Sequence, residues 1–258
     1  MAGQMPRVLA STTSHKREPL MPTLEVFGKL GLCDIDLNLH HILEIGEKPP
    51  SVAAFAADQG LRIWVVSGGW CDFFRPAPDI DTTLQSVARQ VDIARVLNVS
   101  RMRLFFGRLA YQDYSRAAFD LARVNLLRLS DAYPEMTFVF ENHDGASLYP
   151  EVCHEILAAV ARPNIRMNFD PINFAKAGVE PMVALTRVHD LVGHVHLKGL
   201  HNREYCEFAE GDVDLVPVIR TLLDQGYTGS FSVEYEGPFD GTLRLYRSVR
   251  RARAILPD

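Results

Sequence analysis

A closed (β/α)8 barrel, forming one α/β domain over residues 1–258, is the fold this chain predicts. Three observations predict it. Strand-like and helix-like segments alternate throughout, which implies a parallel sheet with helical crossovers. Eight such pairs fit in 258 residues, a usual size for one closed barrel. The rival, an open doubly wound sheet, would bind its ligand at a switch point. No Gly-x-Gly-x-x-Gly follows a strand here, and Gly68-Gly69 is too little to suggest a dinucleotide site.

The expected strands are 7–12, 33–39, 61–67, 101–106, 137–142, 165–170, 193–198 and 230–235. They are short and mostly rich in Val, Ile, Leu or Phe, as buried parallel strands are. The first helix is TLEVFGKLG after Pro22, and the second is SVAAFAADQG with Ser51 as its N-cap. The third, DTTLQSVARQVDIARVLNV, places Leu84, Val87, Ala88, Val91, Ala94 and Val96 near helical period. YSRAAFDLARVNLLRLSDAY, PEVCHEILAAVA, PMVALTRVHDLV, LVPVIRTLLDQG and TLRLYRSVRRARAIL follow. Pro at helix starts and Gly at helix ends recur. The longest strand-to-helix gaps are 68–81 and 199–214, and long loops of this kind are candidate substrate covers.

Composition narrows the function classes. Hydrophobic residues make up 47% and charged residues 23%, ample for a folded core, and the net charge is -5. That charge excludes the basic field that nucleic-acid binding requires. The most basic stretch, RLYRSVRRARAIL, reads as the solvated face of a last helix. Cys33, Cys71, Cys153 and Cys206 are widely spaced, so neither a disulfide framework nor a thiolate zinc site is expected. MAGQMPRVLASTTSHK has no long apolar core, and no apolar run approaches the ~20 residues that cross a bilayer. A cytoplasmic protein with no membrane partner is the expectation.

Four ligand-type side chains stand at the ends of the last four expected strands: Glu141, Asp170, His196 and Glu234. In a closed barrel, strand C-terminal ends share the rim where active sites form. Three carboxylates and an imidazole there can hold a divalent metal. Each residue also has a plainer reading. Glu141 can be satisfied by an arginine or a helix N-terminus, and Asp170 can cap a helix. His196 can be a hydrogen-bonded core histidine. Glu234 and Glu236 share parity, so strand alternation does not choose between them.

The segments FENHDG, NFDPINF, GHVHLKG, EGDVDLVPVIRTLLDQGYTG and FSVEYEG carry a resemblance. The chain resembles the sugar phosphate isomerase/epimerase superfamily, whose fold is the xylose-isomerase-like TIM barrel. The likeness covers nearly the whole chain and is strongest from residue 137 onward. It implies that Glu141, Asp170, His196 and Glu234 bind a divalent ion and that Glu141 and Glu234 form the acid/base pair. The superfamily spans isomerases, epimerases, dehydratases and an endonuclease branch. Two departures concern substrate identity: Asn173 stands where many epimerases have His, and Gly199 where many members have Asp. Asn173 and the acidic charge argue against the endonuclease branch.

Further rim residues are candidates for substrate contact: His143, Lys198, His41 (or its neighbour His40), Trp70, Asn173 and Arg108. Each has a structural alternative, from a loop hydrogen bond for His143 to a surface ion pair for Arg108. Asn142 and Asn168 are expected to support ligand geometry.

These groups suit proton abstraction beside a carbonyl whose enediolate a metal stabilises. Mn2+ or Mg2+ fits the donors, with Co2+ or Zn2+ as alternatives. The expected function is a metal-dependent isomerase or epimerase acting on a small polyhydroxy carbonyl compound. The alternatives are a dehydratase of the same fold, with an inosose-like or dehydroshikimate-like substrate, and a non-catalytic sugar- or partner-binding member. The expected partner is a carbohydrate-like small molecule; a homo-oligomer is compatible with the family.

Overall fold

The computed structural model describes residues 6–238 and 240–256. The expected domain limits, 1 and 258, lie outside the described residues. Eight strands line the barrel: β1 (Arg7–Ser11), β2 (Asp34–Asn38), β3 (Arg62–Ser67), β4 (Arg101–Phe105), β5 (Thr137–Glu141), β6 (Ile165–Phe169), β7 (Val192–Leu197) and β10 (Ser230–Val233). β8 (Gly199–His201) and β9 (Glu204–Cys206) form a separate antiparallel pair. The barrel is closed, in the order β1-β10-β7-β6-β5-β4-β3-β2. All eight expected strands are present, with ends within two residues of those read from the sequence.

The eight long helices are also those expected: α1 (Leu20–Lys29), α3 (Pro49–Asp58), α4 (Asp79–Val96), α5 (Arg116–Ala132), α6 (Pro150–Val160), α8 (Pro181–Val188), α9 (Val216–Asp224) and α10 (Gly241–Arg253). Two short helices were not expected, α2 (His40–Leu43) and α7 (Pro171–Lys176). Ser51 is not an N-cap. Lys48 takes that place, because a Pro at the first turn pre-sets φ and starts α3 three residues earlier. α1 likewise begins before Pro22, which its first turn tolerates. No described helix is long and apolar enough to cross a membrane. All four cysteines are free thiols.

By its internal contacts the chain forms two compact units, Met1–Val66 with Val195–Asp258, and Ser67–His194. In the first, β1 pairs in parallel with β10, Ala10 opposite Val233, and with β2, Ala10 opposite Ile35. Leu9, Phe27, Leu37, Phe231 and Val249 are fully buried there. In the second, β4, β5 and β6 run in register, so that Phe105 lies opposite Glu141 and Glu141 opposite Asn168. Phe73 meets Phe140 edge-on with ring centroids 5.3 Å apart, and Phe106 tilts against Phe140 at 5.2 Å. Such aromatic packing fixes the strand ends from behind.

Candidate active site

In the Ser67–His194 unit, Glu141 is the last residue of β5 and is 2% exposed. Both of its oxygens face a partner. Asn173 Nδ2 donates to Oε1 at 3.0 Å, and Arg103 Nε lies 3.2 Å from Oε2. The second contact is an ion pair rather than an aligned hydrogen bond. Arg103 also donates from Nη1 to Gly68 O at 3.1 Å. Asp170 follows β6 and caps α7: its Oδ1 accepts from Ile172 N at 2.9 Å and Asn173 N at 3.0 Å. The plainer reading of Asp170 is therefore present, and one residue can both cap and ligate because a carboxylate has two oxygens. Asn142 clamps the Asp170 backbone, donating to its carbonyl and accepting from its N–H, each at 2.8 Å. Asn168 is fully buried, and neither of its amide atoms has a partner among the described residues.

A stack of rings and guanidiniums flanks Glu141. Arg103 lies 4.2 Å over Phe105, Phe105 stacks on Trp70 at 4.4 Å, and Arg108 lies 3.7 Å over Trp70. His143 packs edge-on against Phe105 at 4.8 Å and Trp70 at 5.5 Å. Its Nδ1 is 3.3 Å from Asp144, which also lies 3.5 Å from Arg108. Trp70, His143 and Arg108, three expected contact residues, are thus brought together.

In the Met1–Val66 and Val195–Asp258 unit, His196 is fully buried on β7. Its Nδ1 lies 3.4 Å from Glu234 Oε2 and its Nε2 3.7 Å from Asp36 Oδ2. Lys198 is 2% exposed and donates to Glu234 at 3.2 Å and to Glu236 at 3.1 Å. Lys16 extends the row, donating to Glu236 at 3.3 Å, and Ser11 Oγ donates to Glu234 Oε1 at 3.5 Å. The Lys198 ammonium holds the Glu236 carboxyl below the usual carboxylate range, against the opposing effect of burial. Glu234 and Glu236, alike in parity, share Lys198 but differ in their second partner: the His196 imidazole for Glu234, Lys16 for Glu236.

His41 lies fully buried in α2, with Nε2 3.5 Å from Thr12 O, while His40 is exposed. Burial pushes the His41 imidazole down to about 4. Gly199 has a local reason. A Cβ there would collide with the Glu207 carbonyl oxygen where the β8–β9 hairpin folds back.

Arg103, Asp36, Lys16 and Ser11 were not singled out from the sequence. The signal for Arg103 was a charge inside an otherwise apolar strand, RMRLFF, which is costly unless paired. DIDLNL carried the same signal for Asp36.

Comparison with known proteins now bears on this arrangement. Residues 29–252 match the family described as xylose isomerase-like TIM barrel. This chain belongs to that family. A curated relative, 3-dehydroshikimate dehydratase of Bacillus anthracis, is 22% identical over 157 residues. That alignment takes in 59% of this chain and 55% of the relative, so the chain spans about half the relative's length. Among solved structures, a D-tagatose 3-epimerase-like protein superposes with a TM-score of 0.80 at 16% identity, covering 96% of each chain. The IolI protein with a bound zinc atom does so with a TM-score of 0.80 at 15% identity, again over 96% of each.

Proposed function

We propose that this protein is a divalent-metal-dependent isomerase or epimerase of a small polyhydroxy carbonyl compound, built as one barrel domain and working in the cytoplasm. The observation that carries the reading is the burial of four ligand-type residues at or just beyond strand C-terminal ends. Glu141, Asp170, His196 and Glu234 are each no more than 3% exposed.

The donor set suits a divalent ion. Carboxylates buried to this degree are costly without positive charge. Asp36, Glu141, Asp170 and Glu234 are buried acids, and Arg103 and Lys198 are the buried cations paired with them. Glu141, Asp170 and His196 offer ligand atoms of the right type, and Glu234 completes the proposed set. Asp36, beside His196 Nε2, is placed to orient that imidazole. Oxygen-rich donors favour Mn2+ or Mg2+; the zinc atom in IolI keeps Zn2+ in view.

When bound, the ion supplies Lewis-acid polarisation of the substrate carbonyl. The protein's own groups do the rest. Glu141 and Glu234 act as the acid/base pair, one removing the proton beside the carbonyl and the other returning one. Return to the opposite face gives epimerisation, and return to the neighbouring carbon gives isomerisation. Asn173 and Arg103 hold Glu141 in one orientation, and Lys198 does so for Glu234. His143, with Trp70 and Arg108 around it, offers a polar contact for the substrate.

A dehydratase is the second reading, favoured by the curated relative of that activity. It shares the proton abstraction and differs in the loss of a β-hydroxyl, which gives a conjugated product with new ultraviolet absorbance.

Metal content by mass spectrometry tests the proposal. The purified protein should carry, or take up, about one equivalent of Mn, Mg, Co or Zn. Glu141→Gln combined with His196→Ala should lose it. A protein that stays metal-free in added Mn2+ sinks the catalytic reading and supports a sugar- or partner-binding member.

A further inference from the structure

Tyr205 owes its place to a tight turn. Asn202 and Arg203 both have positive φ, 48° and 67°, and join β8 to β9 as a two-residue hairpin loop. That loop fixes the register, with His201 opposite Glu204 and Leu200 opposite Tyr205. Tyr205 therefore shares a face of the hairpin with Leu200, which is 7% exposed, while Glu204 and Cys206 take the other face. The hairpin backbone also seats closely against the segment beyond β10: a Cβ on Gly237 would collide with the Tyr205 carbonyl oxygen. The ring is thus delivered beside Lys198, whose Nζ lies 5.3 Å from the ring centroid.

We infer that Tyr205 is a positioning residue. Its ring holds the Lys198 ammonium between Glu234 and Glu236, and through Lys198 it fixes the Glu234 carboxylate. The inference rests on the reading of Glu234 above as metal ligand and acid/base group.

The ammonium needs holding because it is a point charge on a flexible four-carbon stem. Lys198 donates to Glu234 at 3.2 Å and to Glu236 at 3.1 Å, so distance favours neither carboxylate. Glu236 also takes Lys16 at 3.3 Å and would keep that cation if the Lys198 ammonium moved away. The loss would fall on Glu234. A carboxylate 3% exposed is poorly stabilised once its cation leaves, and it rearranges. An aromatic face attracts an ammonium, most strongly where water is excluded, and Lys198 is 2% exposed. This attraction needs the ring and not the hydroxyl, which separates it from hydrogen bonding by the phenol.

Two substitutions test this on the full chain. Tyr205→Phe keeps the ring, and Tyr205→Leu keeps an apolar side chain without one; Tyr205→Met is a second ring-free variant should Tyr205→Leu misfold. Circular dichroism checks the fold of each. Acetic anhydride labelling with peptide mass spectrometry follows Lys198, with Lys29, whose side chain is 68% exposed, as the internal reference. Calorimetry measures Mn2+ affinity on the same samples. The ring-free variant should raise the relative labelling of Lys198 by about threefold to tenfold. It should weaken Mn2+ binding by about tenfold, the lower end of what losing an outer partner of a ligand costs. Tyr205→Phe should match the unsubstituted protein in both. In a Lys198→Gln background the ring-free variant should weaken Mn2+ binding no further, because the ring acts only through Lys198. Unchanged labelling, a Tyr205→Phe that behaves like the ring-free variant, or the same further loss in the Lys198→Gln background overturns the inference. Raised labelling with unchanged Mn2+ affinity also overturns it, by breaking the step from Lys198 to Glu234. An unsubstituted protein that takes up no Mn2+ removes the metal reading of Glu234 instead, and the labelling then decides by itself whether the ring holds Lys198.

Discussion

Arg103 Nε lies 3.2 Å from Glu141 Oε2, with both side chains at no more than 6% exposure. An ion pair this deep is stabilising only while both members remain. Arg103→Met should therefore cost about 3–5 kcal/mol, because it strands a buried carboxylate. Arg103→Met with Glu141→Gln should recover a large part of that loss. Urea unfolding of the four members of the cycle checks this. Additive effects, with Glu141→Gln changing stability equally with and without Arg103, would show that the pair is not coupled.

His41 sets a pH dependence. Its pKa falls from 6.5 to about 4 because burial penalises the imidazolium. Above pH 6.5 the ring is neutral in both folded and unfolded chains, so its contribution is full. Between pH 6.5 and 4 the unfolded chain takes up a proton that the folded one refuses, and stability falls as pH falls. The loss should level off below about 4, at roughly 3 kcal/mol. Unfolding midpoints across that window should be flatter in His41→Leu than in the parent protein. Parallel profiles would refute the assignment.

Glu207 is 1% exposed and faces three arginines of α10: Arg244 at 3.0 Å, Arg251 at 3.4 Å and Arg247 at 3.7 Å. The arginines are one-third to one-half exposed, so solvent screens part of the attraction. Glu207→Gln should cost about 1–3 kcal/mol. The effect should concentrate in the adjoining β8–β9 hairpin, read as faster amide exchange over residues 199–206. Unchanged exchange there would mean that the hairpin is held by other contacts.

Trp70 is 46% exposed, with Phe105 on one side and Arg108 3.7 Å over its ring. In a Trp64→Phe background Trp70 is the sole tryptophan. Arg108→Ala should then raise acrylamide quenching of its fluorescence while changing stability by no more than about 1 kcal/mol. Unaltered quenching would show that the guanidinium does not cover the ring in solution.

The sequence determined the barrel. Strand and helix periods are local, so RVLAS, TFVFE and SFSV could be read as strands without knowing their neighbours. The four ligand-type residues were legible for the same reason, since each stands where an apolar run ends. Helix starts were less secure. Ser51 looked like a cap until Pro49 and Pro50 were seen to begin α3, and α2 and α7 are too short to show a period.

Tertiary structure alone decided how the site is held. Arg103 and Glu141 are 38 positions apart, and Lys198 and Glu234 are 36 apart, so no spacing rule links them. Parity left Glu234 and Glu236 equivalent; Lys198 bonds both, and what separates them is the imidazole beside Glu234 and Lys16 beside Glu236. Gly199 read as a departure from a family pattern, and the return of the β8–β9 hairpin supplies its cause. Periodicity fixes which face a residue takes, but the partner on that face comes from a distant segment, and the energy of a buried charge depends on that partner.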